Sequence, residues 1–449
     1  MKYDRRRFLH LLGAMGVLVQ ARPQGCSIEV AAERMGQSRL PTGIAALRDQ
    51  FPALQQSVNG HPLAYLDSAA TTLRPRAVID ALTRFDETDN ANPSATLHTL
   101  ARRAAQRYGD ARQRVARFLN AADASEVIFT KGTTEGINLA ATTWGSANLR
   151  AGDEIVLTVA EHYSNLLPWR AVADRAGARI RIVDVGDDGV LSPARVAEAL
   201  TSRTRLVAFS HVSNVLGIVN PAAEICDAAR RRGALVLIDA AQSAPHLRLD
   251  VRALGCDFLA CSAHKLLGPM GVGVLWVRRD LLDSMPPYQS GSNMAHEVDS
   301  TSAQFEHGAL KYQAGTPNVS GSVALSGALE VLEQIGFDAI AGHDRRLVEH
   351  AARRFAEVEG LRVLGTMNSS ALRVPVFTFT LKQIPISRIV DAMDEKGIAI
   401  RGGDMAALPL LRRFGVGEAA RASCYLYTTT GEIDRFVDVL RDLSQGTVA

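Results

Sequence analysis

The stretch SAHKLLGP, residues 262–269, decides how the chain is read. A strand-like apolar run, DFLAC (257–261), leads into it, and a glycine-rich run that turns apolar, GPMGVGVLWV (268–277), leads out. Lys265 therefore falls where water is scarce, and an unpaired ammonium there is costly. Such a lysine needs a partner or a chemical use.

Upstream, β-rich runs recur at EVIFT (126–130), EIVLTV (154–159), ARIRIVDV (178–185), RLVAFS (205–210), ALVLIDA (234–240) and DFLACS (257–262), with GVGVLWV (271–277) closing the series. Several are separated by helix-like stretches such as PARVAEALTS and PAAEICDAARRRG. Strands alternating with helices predict an α/β fold with a largely parallel sheet covered on both faces. Ligands of such sheets gather at the carboxyl ends of the strands. After residue 306 the texture changes. One long helical periodicity (321–358) is followed by strand candidates VPVFTFTL (374–381) and IAIRGG (398–403), a helix (386–396), and a closing helix from about 430. The expected organisation is a large domain over 66–305 and a smaller α+β domain over 306–449, against which residues 40–65 pack.

Four strand-end segments carry complementary polar groups. KGTTEGIN (131–138) opens a helix with Thr133 and Thr134, an arrangement that presents N–H groups and hydroxyls to an anion. EHYSN (161–165) ends the next strand with His162. LVLIDAAQS (235–243) sets Asp239 directly after an apolar strand, with Gln242 three residues on. The fourth is SAHK, with Ser262, His264 and Lys265. Singly, each has an ordinary structural explanation. Jointly they match pyridoxal 5′-phosphate, which has an aldehyde for a lysine, a phosphate for a Gly/Thr/Ser cup, a ring nitrogen for a carboxylate and a face for an aromatic stack.

With GTTEGIN, EHYSNLLPW, HVSNVLG, IDAAQ, SAHKLLGP, AGTPN and RASCYLY in view, the chain resembles class V aminotransferase-fold enzymes, and among them the SufS-like cysteine desulfurases. The likeness runs from YLDSAATT (65–72) to the C-terminal helix. It implies the type I fold of pyridoxal-phosphate-dependent transferases and a homodimer with shared active sites. It also implies roles. Lys265 is the lysine that condenses with the cofactor aldehyde, Asp239 the partner of the ring nitrogen, Gln242 that of the ring hydroxyl, and His162 the stacked ring. Thr133, Thr134, Ser262 and His264 contact phosphate, as does Thr316 from the other subunit. Asn214, Arg401 and Arg421 hold the substrate, Arg421 by its carboxylate, which a guanidinium fork binds bidentately.

The chain departs from that pattern where the desulfurases carry their catalytic cysteine. The corresponding stretch is RGGDMAALPL (401–410), with Ala406 at the cysteine position and Asp404 and Met405 before it. NPSATLHTL (92–100) has Ala95 in place of a common arginine, although His98 still fits, and Tyr163 replaces a second histidine. Desulfuration needs a thiolate to carry sulfur as a persulfide, and a methyl group cannot serve. Cys424, three residues past Arg421 in a strand-like run, is expected on the opposite face.

The N-terminus reads MKYDRRRFLHLLGAMGVLVQ. Arg5–Arg6–Arg7–Phe8–Leu9 fits the twin-arginine export pattern, a short apolar block follows, and Val30-Ala31-Ala32 offers a cleavage site. A basic amphipathic helix is the alternative. Cys26 lies in a poor lipoprotein box. The expectation is a signal over 1–32, export in the folded state to the periplasm, and no stable membrane insertion after processing. Residues 1–32 carry Lys2, Arg5, Arg6, Arg7 and Arg22 against Asp4 and Glu29, which accounts for the chain's formal +3 and leaves the remainder neutral. No basic stripe points to nucleic acid. The five cysteines show no metal-binding or redox spacing, and no metal site is expected.

From these readings the chemistry expected first is transamination or deamination at the α-carbon of an amino acid or an exported peptide amine. Exported enzymes of this fold that tailor peptide siderophores are the precedent. A cysteine-type C–S β-lyase, a desulfurase using another thiol, and an epimerase follow. A non-catalytic binding protein ranks last, because it needs no such lysine.

Overall fold

The computed structural model describes residues 47–94, 97–367 and 372–446. The expected signal segment and Ala95 lie outside them.

All seven anticipated strands of the large sheet are present. They are β1 (Val127–Thr130), β2 (Glu154–Thr158), β3 (Arg179–Val183), β4 (Thr204–Ser210), β5 (Leu235–Asp239), β6 (Phe258–Ser262) and β7 (Gly273–Val277), in the order β1-β7-β6-β5-β4-β2-β3. Strands β6, β5, β4, β2 and β3 pair in parallel. Only β7 runs against its neighbours β6 and β1. The reason is local: the 263–272 connection is too short for a parallel crossover and can only form a return turn. That turn carries Lys265.

Because β7 alone is reversed, six strand ends, at Thr130, Thr158, Val183, Ser210, Asp239 and Ser262, open on one edge of the sheet. Gly273 makes the β1 end possible. It pairs with Thr130 on one side and Ser262 on the other, and a Cβ there would lie 2.4 Å from Gly132 Cα. Only a residue without a side chain lets the 131–133 turn fold back over β7.

Periodicity read 321–358 as one helix, whereas the chain forms two, Val319–Ile335 and Phe337–Phe355. Gly336, at φ 81°, breaks them. The first packs on helices Arg76–Thr88 and Thr99–Phe118 and shares the core of the large sheet. The second core gathers from Leu347 onward, around the antiparallel sheet β8 (Leu361–Val363), β9 (Val376–Leu381), β10 (Arg401–Gly403) and β11 (Ala419–Ser423), ordered β8-β9-β11-β10. Phe379 and Phe436 meet edge to face at its centre, 5.6 Å apart.

The IAIRGG run also divides. Ile398–Ala399 pairs in parallel with Ala64–Tyr65, and β10 pairs with β11. The segment before residue 66 is shared between the cores. Leu47, Phe51, Leu54 and Leu63 join the first cluster, Ala64 and Leu66 the second. Among the described residues no helix is long and apolar enough to cross a membrane.

Candidate active site

The ends of β4, β5 and β6, the segments that follow β1 and β2, and β10–β11 line a cavity of about 450 Å³. Of the residues singled out in the sequence, Thr133, Thr134, His162, Asn214, Asp239, Gln242, Ser262, His264, Lys265, Arg401 and Arg421 all line it. Thr316 does not: it is exposed and accepts a hydrogen bond from Asn92 Nδ2 at 3.2 Å.

The Lys265 turn is pinned by threonines. Thr72 N–H, Thr72 Oγ1 and Thr71 Oγ1 all donate to the His264 carbonyl, at 2.8, 3.0 and 3.1 Å. Leu267 N–H donates to Thr72 Oγ1 at 2.9 Å while Leu267 adopts φ 63°. A bulky residue in the left-handed region persists only where its surroundings enforce it. Burial pushes the Lys265 amine down to about 8, with Asp239 pulling the other way. A fraction of the amine is therefore neutral near physiological pH, the form that attacks a carbonyl.

Asp239 ends β5, buried, with one carboxylate oxygen accepting the Ala241 N–H at 2.9 Å. Burial raises its pKa, and the nearby Lys265 opposes that rise. A cationic N–H donor placed on it would favour the carboxylate and oppose that rise further. Gln242 Nε2 donates to the Ala69 carbonyl at 2.7 Å, which fixes the amide at the cavity edge. His162 Nδ1 accepts the Ser164 N–H at 3.1 Å, so the neutral ring carries its proton on Nε2. Burial, Lys265 and Arg421 push His162 down to about 4.

At the far strands, helix Thr133–Ala140 starts at the cavity. Ser262 Oγ accepts from Thr133 N–H at 2.8 Å and shares a hydrogen bond with Thr133 Oγ1 at 2.7 Å. Thr134 Oγ1 bonds Ser164 Oγ at 2.7 Å. Hydroxyls gathered at a helix N-terminus form an anion cup.

Arg421, on β11, is 3% exposed. A buried guanidinium requires compensation. It donates to the Asn214 carbonyl at 3.0 Å and to Asp67 Oδ1 at 3.2 Å, and its Nε is buried without a partner. Arg401 also donates to Asp67, at 3.1 Å to Oδ2. Asp67 was missed in the sequence, although it stands in YLDSAATT; nothing in spacing alone ties it to two arginines more than 300 residues away. Glu161 was missed too. It is buried behind the cavity, accepting from Thr158 Oγ1 at 2.5 Å, Asn165 Nδ2 at 2.7 Å and Ser210 Oγ at 2.8 Å, and burial lifts its carboxyl to about 7.

Among the described residues no cysteine lines the cavity. Cys226, Cys256, Cys261 and Cys424 are all buried, and burial raises all four thiols. Cys424 packs in the second core with Ala420 and Ala422, whereas Arg421 lines the cavity.

The residues present fit pyridoxal phosphate. A reactive amine, a buried carboxylate, a neutral ring and an anion cup converge on one cavity, and Asn214 Oδ1 and Arg421 Nε are buried there unpartnered.

Comparison with known proteins agrees. The family model "Aminotransferase class-V" matches residues 64–436. A cysteine desulfurase of Synechococcus elongatus is 42% identical over 406 residues, 90% of this chain and 64% of that longer protein. A probable cysteine desulfurase of Halalkalibacterium halodurans is 42% identical over 86% of this chain and 95% of its own length. Among solved structures, the cysteine desulfurase CsdA of Escherichia coli superposes with a TM-score of 0.83 at 36% identity, covering 91% of this chain and 99% of the other. The apo cysteine desulfurase of Thermococcus onnurineus superposes with a TM-score of 0.85 at 31% identity, covering 89% and 98%. The chain belongs to the class V aminotransferase family and is, with it, a pyridoxal-phosphate-dependent enzyme of the type I fold.

Proposed function

We propose that this enzyme labilises the α-proton of an amino acid or peptide amine and exchanges its amino group for a carbonyl oxygen, the amino group passing to an acceptor carbonyl, with no protein-bound persulfide. The observation that carries this is the cavity's lack of a thiol, with Ala406 on the loop where the desulfurase pattern puts cysteine.

Pyridoxal phosphate, when bound, supplies an aldehyde and a conjugated ring that accepts electrons from the substrate α-carbon. The chain supplies the rest. Lys265, with a lowered pKa, removes and returns the α-proton. Asp239 holds a ring N–H. His162, neutral, covers the ring face. Thr133, Thr134, Ser262 and His264 hold the phosphate, Gln242 holds the ring hydroxyl, and Asn214, Arg401 and Arg421 orient the substrate carboxylate. The exposed Thr316, outside the lining of its own cavity, suits a contact made across a homodimer.

The relatives' names favour a second reading, cleavage of the C–S bond of cysteine. Without a thiol carrier this would run as a β-lyase that releases sulfide directly. The two separate by product. Incubation with cysteine, followed by assay of sulfide, protein persulfide and aminated cofactor, yields aminated cofactor alone under the first reading and sulfide under the second. Substantial persulfide on the wild type contradicts both. The twin-arginine pattern supports periplasmic export, and fractionation of tagged protein with and without R5K/R6K tests it.

A further inference from the structure

The segment carrying Ala406 is tied across the cavity from two elements. Tyr163 Oη donates to Asp404 Oδ2 at 2.7 Å, and the Tyr163 N–H donates to the Ala406 carbonyl at 2.8 Å. Asn214 Nδ2 donates to the Met405 carbonyl at 2.9 Å. Within the segment, Asp404 Oδ1 accepts the Ala406 N–H at 2.9 Å. Met405 and Ala406 both sit at φ 52°, a left-handed pair that L-residues avoid. An unfavourable backbone held by four hydrogen bonds is a wall set in place by its tethers.

The charges inside the cavity are polarised. Arg401 and Arg421 share the single carboxylate of Asp67, which leaves one positive charge to meet one substrate carboxylate. Asp404 lines the same cavity. The Tyr163 hydroxyl and the Ala406 N–H hold its carboxyl below the usual carboxylate range, so it stays anionic.

We propose that Tyr163 and Asp404 form a latch that fixes segment 403–406 as one wall of the substrate cavity, and that the Asp404 carboxylate makes this wall select amino acids with neutral or cationic side chains against acidic ones. This rests on reading the cavity as an amino-acid site. Asp404 is part-exposed where it lines the cavity, so a second substrate carboxylate meets a like charge there that water screens only in part. An amide or ammonium instead offers N–H donors to the lone pairs that Tyr163 and Ala406 leave open. Asp404 is thus the specificity-determining group and Tyr163 a positioning residue.

Two measurements test the proposal. In the first, glutamine against glutamate and asparagine against aspartate are titrated into the cofactor-loaded protein, with binding followed by the change in visible absorbance. The wild type is expected to favour the amide of each pair tenfold or more, and D404N to shrink that ratio at least fivefold. A wild type that prefers the acids, or a D404N ratio that does not move, overturns the selectivity. In the second, hydrogen exchange is followed on cofactor-free Y163F, which loses one hydroxyl and little else. Exchange at 403–407 is expected to rise severalfold while the strands of the large sheet keep their protection; unchanged exchange at 403–407 overturns the latch. The exchange measurement needs neither cofactor nor substrate. Its failure is therefore distinct from failure of the amino-acid reading, which would show as no spectral response to any of the four amino acids and would remove the selectivity with it.

Discussion

Lys265, Asp239 and His162 show how far single residues can be tuned by enclosure. Burial drives the lysine down to about 8 and the histidine down to about 4, and raises the aspartate. His264 and His211, both enclosed, are also pushed down to about 4. A histidine whose pKa falls on folding takes up its proton earlier in the unfolded chain. The stability it contributes is complete above about 6.5 and is lost as pH falls towards 4. His211, outside the cavity lining, isolates the effect. His211→Asn is expected to make the unfolding midpoint less sensitive to pH between 6.5 and 4, as followed by circular dichroism; equal slopes for the two proteins would contradict this. The residue scale is also where the sequence was most and least informative. Lys265, Asp239 and Gln242 were legible because a polar group directly after an apolar strand needs a reason. Asp67 was not, since Arg401 and Arg421 are brought to it only by the fold; Glu161 has Thr158 and Asn165 close in sequence, but its burial and its bond from Ser210 are products of the fold.

Elements were read well where their pattern is local. All seven strands of the large sheet are foreshadowed by short apolar runs, and one reversed strand, β7, lies between β1 and β6. The breaks inside longer patterns were harder. Gly336 splits a continuous helical periodicity because its positive φ ends one helix and starts the next, and apolar spacing does not register this. IAIRGG looks like one strand yet serves two sheets. The junction of β1, β6 and β7 depends on Gly273. Its replacement by alanine puts a methyl group against backbone at Gly132. The expected cost is about 1–3 kcal/mol, the usual range for overpacking, with weaker pyridoxal phosphate binding because the Thr133 turn is displaced. Denaturant titration and a cofactor binding isotherm check both, and a G273A protein of unchanged stability would contradict the account of this junction.

At the scale of the whole molecule, two cores meet around one cavity, and Asp67, Arg401 and Arg421 fasten β10 and β11 to the segment before the large sheet. Thr316 lies outside that arrangement, exposed on the same chain. If two chains share their sites, Thr316→Ala weakens pyridoxal phosphate binding about tenfold, the scale of one hydrogen bond to a charged group, while the unfolding midpoint of the cofactor-free protein stays put. Unchanged affinity would place Thr316 outside the site altogether. Everything in this arrangement turns on Lys265 as the amine that the cavity holds for the cofactor aldehyde. Borohydride reduction of the cofactor-loaded protein, followed by peptide mass mapping, tests it most directly. A phosphopyridoxyl adduct is expected on Lys265 and none in K265A; an adduct on another lysine, or a K265A protein that still traps the cofactor in the cavity, would rule out this role for Lys265.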